Sequence, residues 1–188
     1  MAAKMKIQKK AKVTETIQLP SGASCKVENR TIILSKGSVS LSKKMIEPEV
    51  SAQVSGDNLL LTSASPGKRG LKTVKAYGAH IRNMFFGLDN EFTYKLEICN
   101  VHFPMTVKVE PTRFLINNFL GEKTPRQATI LPNVKVDVKG AVITVTSHDR
   151  ETAGQTSANI EKATKVRNRD RRVFQDGIYI TEKAGGKI

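Results

Sequence analysis

Tryptophan is absent, and aromatic side chains make up only 5% of the 188 residues. Gripping splayed single-stranded bases needs aromatic platforms, so that mode is excluded as the main one. Cysteine is down to two, Cys25 and Cys99, with no C-x-x-C pair. That excludes a disulfide framework and fits a reducing compartment. The three histidines (His80, His102, His148) stand at no ligand spacing, so no metal or other cofactor is expected. No apolar run approaches the ~20 residues of a membrane helix, and the Lys-rich start lacks the apolar core of a secretory signal. A soluble, cytoplasmic protein with no membrane partner is the expectation. Acid is the other shortage: 17 Asp+Glu face 31 Lys+Arg, a net charge of +14. The hydrophobic fraction, 39%, can support a core, which excludes disorder throughout. The surplus therefore points to a polyanionic partner.

Catalytic constellations are missing too, so no enzyme is expected. Pro66-Gly67-Lys68-Arg69-Gly70 has neither the spacing nor the Ser/Thr of a Walker loop. It reads as a turn and helix start, with Lys68 and Arg69 as secondary phosphate contacts. No G-x-S-x-G elbow occurs. His102, before Phe103-Pro104, reads as structural, and His148-Asp149 as a helix start. Cys25 reads as a small core residue, and Glu47 and Glu49 as loop solvation.

What is present is patterning. Period-2 alternation bounded by Gly, Asn and Asp marks short antiparallel strands. Ile17 and Leu19 alternate with polar residues, Cys25 and Val27 turn through Asn29-Arg30 into Ile32–Leu34, and Val39 and Leu41 follow. Val50, Ala52 and Val54 turn through 56–58 into Leu59–Leu61. The period then changes. Leu71, Val74, Gly78, Ile81, Phe85 and Leu88 form one face of a helix of roughly 20 residues, and Gly78 predicts close approach to a sheet. Alternation resumes over Phe92–Cys99, Met105–Val109, Val134–Lys139 and Val142–Val145. A weaker helix is predicted over 151–166, then a short strand at 178–180.

The halves match. At an offset of 84, Val50 pairs with Val134, Gly56 with Gly140, Thr62-Ser63 with Thr146-Ser147, and Gly70 with Gly154. An internal duplication follows. The fold class is α+β: two similar domains, each a small, mostly antiparallel sheet packed against one helix. The expected layout is a basic tail over 1–12, repeats over 13–90 and 91–183, and a tail over 184–188.

The strongest functional signal is 162–172. Lys162, Lys165, Arg167, Arg169, Arg171 and Arg172 face one acid, Asp170, for a net +5. Four of the six are Arg, whose planar fork matches phosphate. The 1–12 tail, with Lys9, Lys10 and Lys12, adds another +5. Phosphate and shape contacts with folded, helical RNA fit this pattern.

Arg172, Phe174, Asp176, Gly177, Tyr179 and Lys183 reproduce R-x-F-x-D-G-[ILVM]-Y-[ILVM]-x-x-[KR], with Val166 and Arg169 upstream. On that motif the chain resembles the large-ribosomal-subunit protein "six" family, protein nine in eukaryotic naming, in its archaeal/eukaryotic branch. Val101–Pro104, Asn118–Lys123 and His80–Met84 support the likeness, which spans about residues 13–183. Two features depart from it: Lys162 stands where the branch usually has Gln, and the start is unusually Lys-rich. The resemblance implies two α+β repeats and no enzymatic activity. It also implies binding to large-subunit rRNA near the sarcin–ricin region and stalk base, beside neighbouring ribosomal proteins and docking translation factors. Lys183 joins the 162–172 cations as an implied RNA contact. The competing reading is an RNA-binding regulator or RNA chaperone outside the ribosome.

Overall fold

The computed structural model describes residues 13–56 and 58–187. The chain divides into two compact units, one ending at Leu88 and the other beginning at Asp89. Lys9, Lys10 and Lys12, and the basic tail they belong to, lie outside the described residues.

The first unit opens with β1 (Val13–Gln18), β2 (Ser24–Glu28), β3 (Thr31–Lys36) and β4 (Val39–Lys44). β5 (Val50–Ser55), β6 (Asn58–Ser63) and α1 (Lys68–Asp89) complete it. Two antiparallel three-stranded sheets result, ordered β1-β6-β5 and β2-β3-β4. Asn29 and Arg30 both take positive φ, 46° and 61°, the conformation a two-residue hairpin needs to match strand twist. Alternation then sends Ile32, Leu34, Leu59 and Leu61 inward, each fully buried. Val74, Tyr77, Ile81 and Met84 of α1 meet them in one core. Gly78 faces β1 as its sequence position suggests: a Cβ there would lie 2.8 Å from the Glu15 carboxylate. Glu47 departs from the expectation of plain solvation. It accepts a hydrogen bond from the Tyr77 hydroxyl, which holds its carboxyl below the usual range. The Tyr77 oxygen in turn accepts from the Ile46 amide at 3.0 Å. Cys25 packs against this core, half-buried, and burial raises its thiol pKa.

The second unit repeats the plan. It contains β7 (Phe92–Cys99), β8 (Thr106–Val109), β9 (Arg113–Asn117), a 3-10 turn (Phe119–Gly121) and β10 (Arg126–Thr129). β11 (Lys135–Lys139), β12 (Val142–Ser147) and α2 (Arg150–Ala163) follow. The order β7-β12-β11 reproduces β1-β6-β5, and β8-β9-β10 reproduces β2-β3-β4. β9 and β10 carry no alternation to read: Phe114-Leu115-Ile116 is an unbroken apolar run, and Arg126–Thr129 holds one apolar residue, Ala128. Left-handed backbone at Asn118 and Leu120 also interrupts the segment between them.

An addition follows α2 in this unit. β13 (Gly177–Lys183) pairs with the free side of β7, and β14 (Gly186–Lys187) pairs with β13. The five-stranded sheet β11-β12-β7-β13-β14 is the result. Residues from 184, expected as a tail, instead turn back: Gly186 pairs with Lys183, and Ala184 packs against the core. α2 also stops at Ala163 rather than 166. Thr164 ends it by donating its hydroxyl to the Glu161 carbonyl at 3.1 Å while accepting from the Ile178 amide at 2.9 Å. Among the described residues no helix is long and apolar enough to cross a membrane, and no cluster of metal-ligating side chains occurs.

Candidate nucleic-acid interface

The basic segment joins α2 to β13, so both its ends are set by the sheet and helix. What lies between is held by residues other than the six cations. Val166, 7% exposed, inserts into the core of the second unit, and Asn168 takes a left-handed φ of 56°. Asp170 then organises a tight turn. Its carboxylate accepts from the Arg172 amide at 2.9 Å, and its carbonyl accepts from the Phe174 amide at 2.9 Å. Further on, the Gln175 side chain donates to the Arg172 carbonyl at 3.1 Å. The Tyr179 hydroxyl donates to the Gln175 carbonyl, also at 3.1 Å.

Asp176 closes the loop. It is 1% exposed and accepts from the Val101 and His102 amides, both at 2.8 Å. Its other oxygen meets His102 Nδ1 at 2.6 Å. Burial opposes its charge, but the His102 amide, the His102 ring and the Val101 amide outweigh that and hold its pKa at about 2. The His102 ring stacks on Phe174 at 4.9 Å, and the Arg169 guanidinium lies 4.8 Å from the other partner of that stack, the Phe174 ring. Aromatic and cation–π contacts of this kind fix a surface arginine without neutralising it. His102 is thus structural, and the loop is what it supports.

Arg126 braces the other end. Its guanidinium sits 4.2 Å from the Phe119 ring centroid and pairs in a fork with Glu122, at 2.8 and 2.6 Å. Its remaining nitrogen donates to the carbonyls of Ala163 at 2.9 Å and Lys165 at 3.3 Å. Hydrogen bonding to Arg126 outweighs burial and lowers the Glu122 pKa. Arg126 therefore satisfies two carbonyls at the C-terminal end of α2, which the helix itself leaves open. Composition and spacing missed it. Glu122 and Arg126 are four apart but not on a helix, so no local pattern signals the pair.

With the anchors turned inward, Lys162, Lys165, Arg167, Arg169, Arg171 and Arg172 are all exposed. None forms a salt bridge among the described residues. Lys162 lines two clefts. One, of ≈ 310 Å³, also holds Arg126 and Arg167. The other, of ≈ 560 Å³, also holds Lys165, Arg171 and Tyr179. The fold thus gathers five of the predicted cations around two adjoining hollows or, for Arg169, against the Phe174 ring, and leaves Arg172 on the turn. Lys183 is exposed at the end of β13 and lines neither cleft. Lys68 and Arg69 belong to the other unit, where they open α1.

A loop held at both ends that presents guanidinium and ammonium groups without salt-bridge partners among the described residues can bind phosphate. Comparison with known proteins agrees with the sequence motif. The model of the family described as Ribosomal protein L6 matches residues 103–177. The chain is 40% identical over 175 residues to the large ribosomal subunit protein uL6 of Methanococcus vannielii, covering 93% of this chain and 96% of that protein. It is 39% identical over 176 residues to the protein of the same name from Methanosphaera stadtmanae, with the same coverage. Identity at that level along nearly the whole of both chains places this protein in the ribosomal protein L6 family.

Proposed function

We propose that the protein is a structural constituent of the large ribosomal subunit and binds its rRNA through the loop over 162–172. The observation that supports this most directly is the pinned loop itself. Six exposed cations without salt-bridge partners sit on backbone fixed by Thr164, Val166, Asp170 and Asp176. Fixing the cations before binding lowers the ordering cost of association. Arginine forks then engage phosphate oxygens in pairs. Recognition is by phosphate position and helix shape rather than by base edges. Lys183 makes a separate contact. The binding place we infer is near the sarcin–ricin region and the stalk base, beside neighbouring large-subunit proteins and close to where translation factors dock. No catalytic step is assigned.

The test replaces Arg169, Arg171 and Arg172 together by Glu and measures binding to large-subunit rRNA. Affinity should fall steeply while the far-ultraviolet spectrum and unfolding temperature hold. Unchanged affinity at physiological salt would overturn the assignment of the loop. Loss of the native protein from large subunits in a high-salt gradient would instead favour a regulator acting outside the ribosome.

A further inference from the structure

The two repeats place a helix at the same point of the same strand order, yet their charges run in opposite senses. α2 has Asp149 as its cap, Glu151 in its first turn and Lys162 in its last. Acid therefore sits at the positive end of the helix dipole and a cation at the negative end. α1 has no acid in its first turn and no cation in its last. Its cations crowd the wrong end: Lys68, Arg69, Lys72 and Lys75 are all exposed. None of the four forms a salt bridge among the described residues, whereas Arg82 further along is paired with Glu15 at 2.9 Å. Mutual repulsion and the dipole both oppose this placement. A local rule broken without internal compensation is the mark of a surface completed by something else.

The arrangement also specifies the partner. Lys68, Lys72 and Lys75 recur at helical spacing and so share one face with Ala79. Ala76 and Ala79 are exposed beside them, which leaves low ground for close approach. Lysine is depleted at protein–protein interfaces, so a lysine-and-alanine face suits phosphate better than a folded protein. Most of the apolar face of α1 is buried in its own core. Leu71 and Phe86 are exposed, but they lie about four turns apart on a cation-rich helix and form no continuous apolar stripe for a lipid surface.

We propose that this face of α1 is a second RNA-docking surface. It seats the phosphate backbone of a double-helical rRNA segment through Lys68, Arg69, Lys72 and Lys75, independently of the loop in the other unit. The proposal rests on the reading of the protein as an rRNA binder, and the test separates the two.

Two full-length variants are titrated with protein-free large-subunit rRNA over a range of salt. One carries Lys68→Gln, Arg69→Gln, Lys72→Gln and Lys75→Gln; the other carries Arg169→Gln, Arg171→Gln and Arg172→Gln. If the α1 face binds phosphates, its variant loses roughly 3 from the slope of log K against log salt, at ~0.7–0.9 per contact. Its unfolding temperature stays level or rises, because the repulsion is gone. An unchanged slope for the α1 variant with a shallower one for the loop variant overturns this proposal alone. Unchanged slopes for both overturn the rRNA reading itself. Acylation of the unsubstituted chain gives a readout that needs no variant to fold. Bound protein-free rRNA should protect Lys68, Lys72 and Lys75 from an amine-reactive reagent. Protection seen only in whole subunits would assign the face to a protein neighbour and overturn the proposal.

Discussion

Replacing Asp176 by alanine removes one carboxylate and strands three donors. The Val101 and His102 amides lose partners at 2.8 Å, and the His102 ring loses one at 2.6 Å. Hydrogen bonds to a charged group contribute about 1.5–3 kcal/mol each, and they are not additive when they share an acceptor. With the carboxylate 1% exposed, a total of about 3–4 kcal/mol is expected for Asp176→Ala. Asp176→Asn keeps one acceptor oxygen and loses the charge. The pKa falls from 3.8 to about 2 on folding, a displacement of about 2–3 kcal/mol, and the Asn variant should lose about that. The pH dependence follows from the sign. A depressed carboxyl pKa stabilises the fold above its unfolded value, near 4, and that stabilisation disappears as pH falls through about 2. The gap between wild type and Asp176→Asn should therefore close between pH 4 and pH 2. Because the chain has two units, a single unfolding curve would mix them. Amide exchange separates them: Val101 and His102 should exchange at least tenfold faster in the alanine variant, while Ile32 and Leu61 of the first unit keep their rates. Binding to rRNA should weaken with an unchanged salt slope, since every cation is still present and only its positioning has loosened. A cost below about 1 kcal/mol in the second unit, or unaltered exchange at Val101 and His102, would refute the clamp.

Two further changes test the packing. Arg126→Met leaves the Ala163 and Lys165 carbonyls and the Glu122 carboxylate without the guanidinium. It should cost about 1–3 kcal/mol and speed trypsin cleavage after Arg167 and Arg169, read by mass spectrometry. Gly70→Ala would drive a Cβ to 2.0 Å from the Ser65 carbonyl oxygen, whereas at Gly78 the nearest atoms belong to the flexible end of Glu15. Gly70→Ala should thus lose about 2–3 kcal/mol by overpacking. Gly78→Ala should stay within about 1 kcal/mol, because helix propensity offsets the shift of Glu15. Thermal unfolding of the two variants side by side decides this, and equal losses would contradict the contact geometry.

Much of the architecture is legible in the residues themselves. Period-2 alternation placed Ile32, Leu34, Leu59 and Leu61 on one side, because a strand sends successive side chains to opposite faces. The 3.6-residue stripe through Val74, Ile81 and Leu88 marked α1 on equally local grounds. The basic segment announced itself by charge, which is additive and needs no fold to be counted. Strands without alternation were less legible: β9 centres on the apolar run Phe114-Leu115-Ile116, and β10 holds a single apolar residue, Ala128. The sequence likewise suggested 164–166 as helix and a tail from 184 on, although Thr164 ends α2 and Gly186 pairs with Lys183.

By itself, then, the sequence determined the α+β class, the duplication and the clustering of cations over 162–172. Those properties depend on residue type and local spacing. Only the tertiary structure decided how the loop is held. Arg126 reaches Ala163 across 37 positions, and Asp176 reaches His102 across 74. It also decided that β13 would pair with the side of β7 whose counterpart on β1 carries no strand among the described residues. Contacts at such separation form only after the sheets have paired, because hydrogen bonds and stacking act over a few ångströms in space, whatever the distance along the chain.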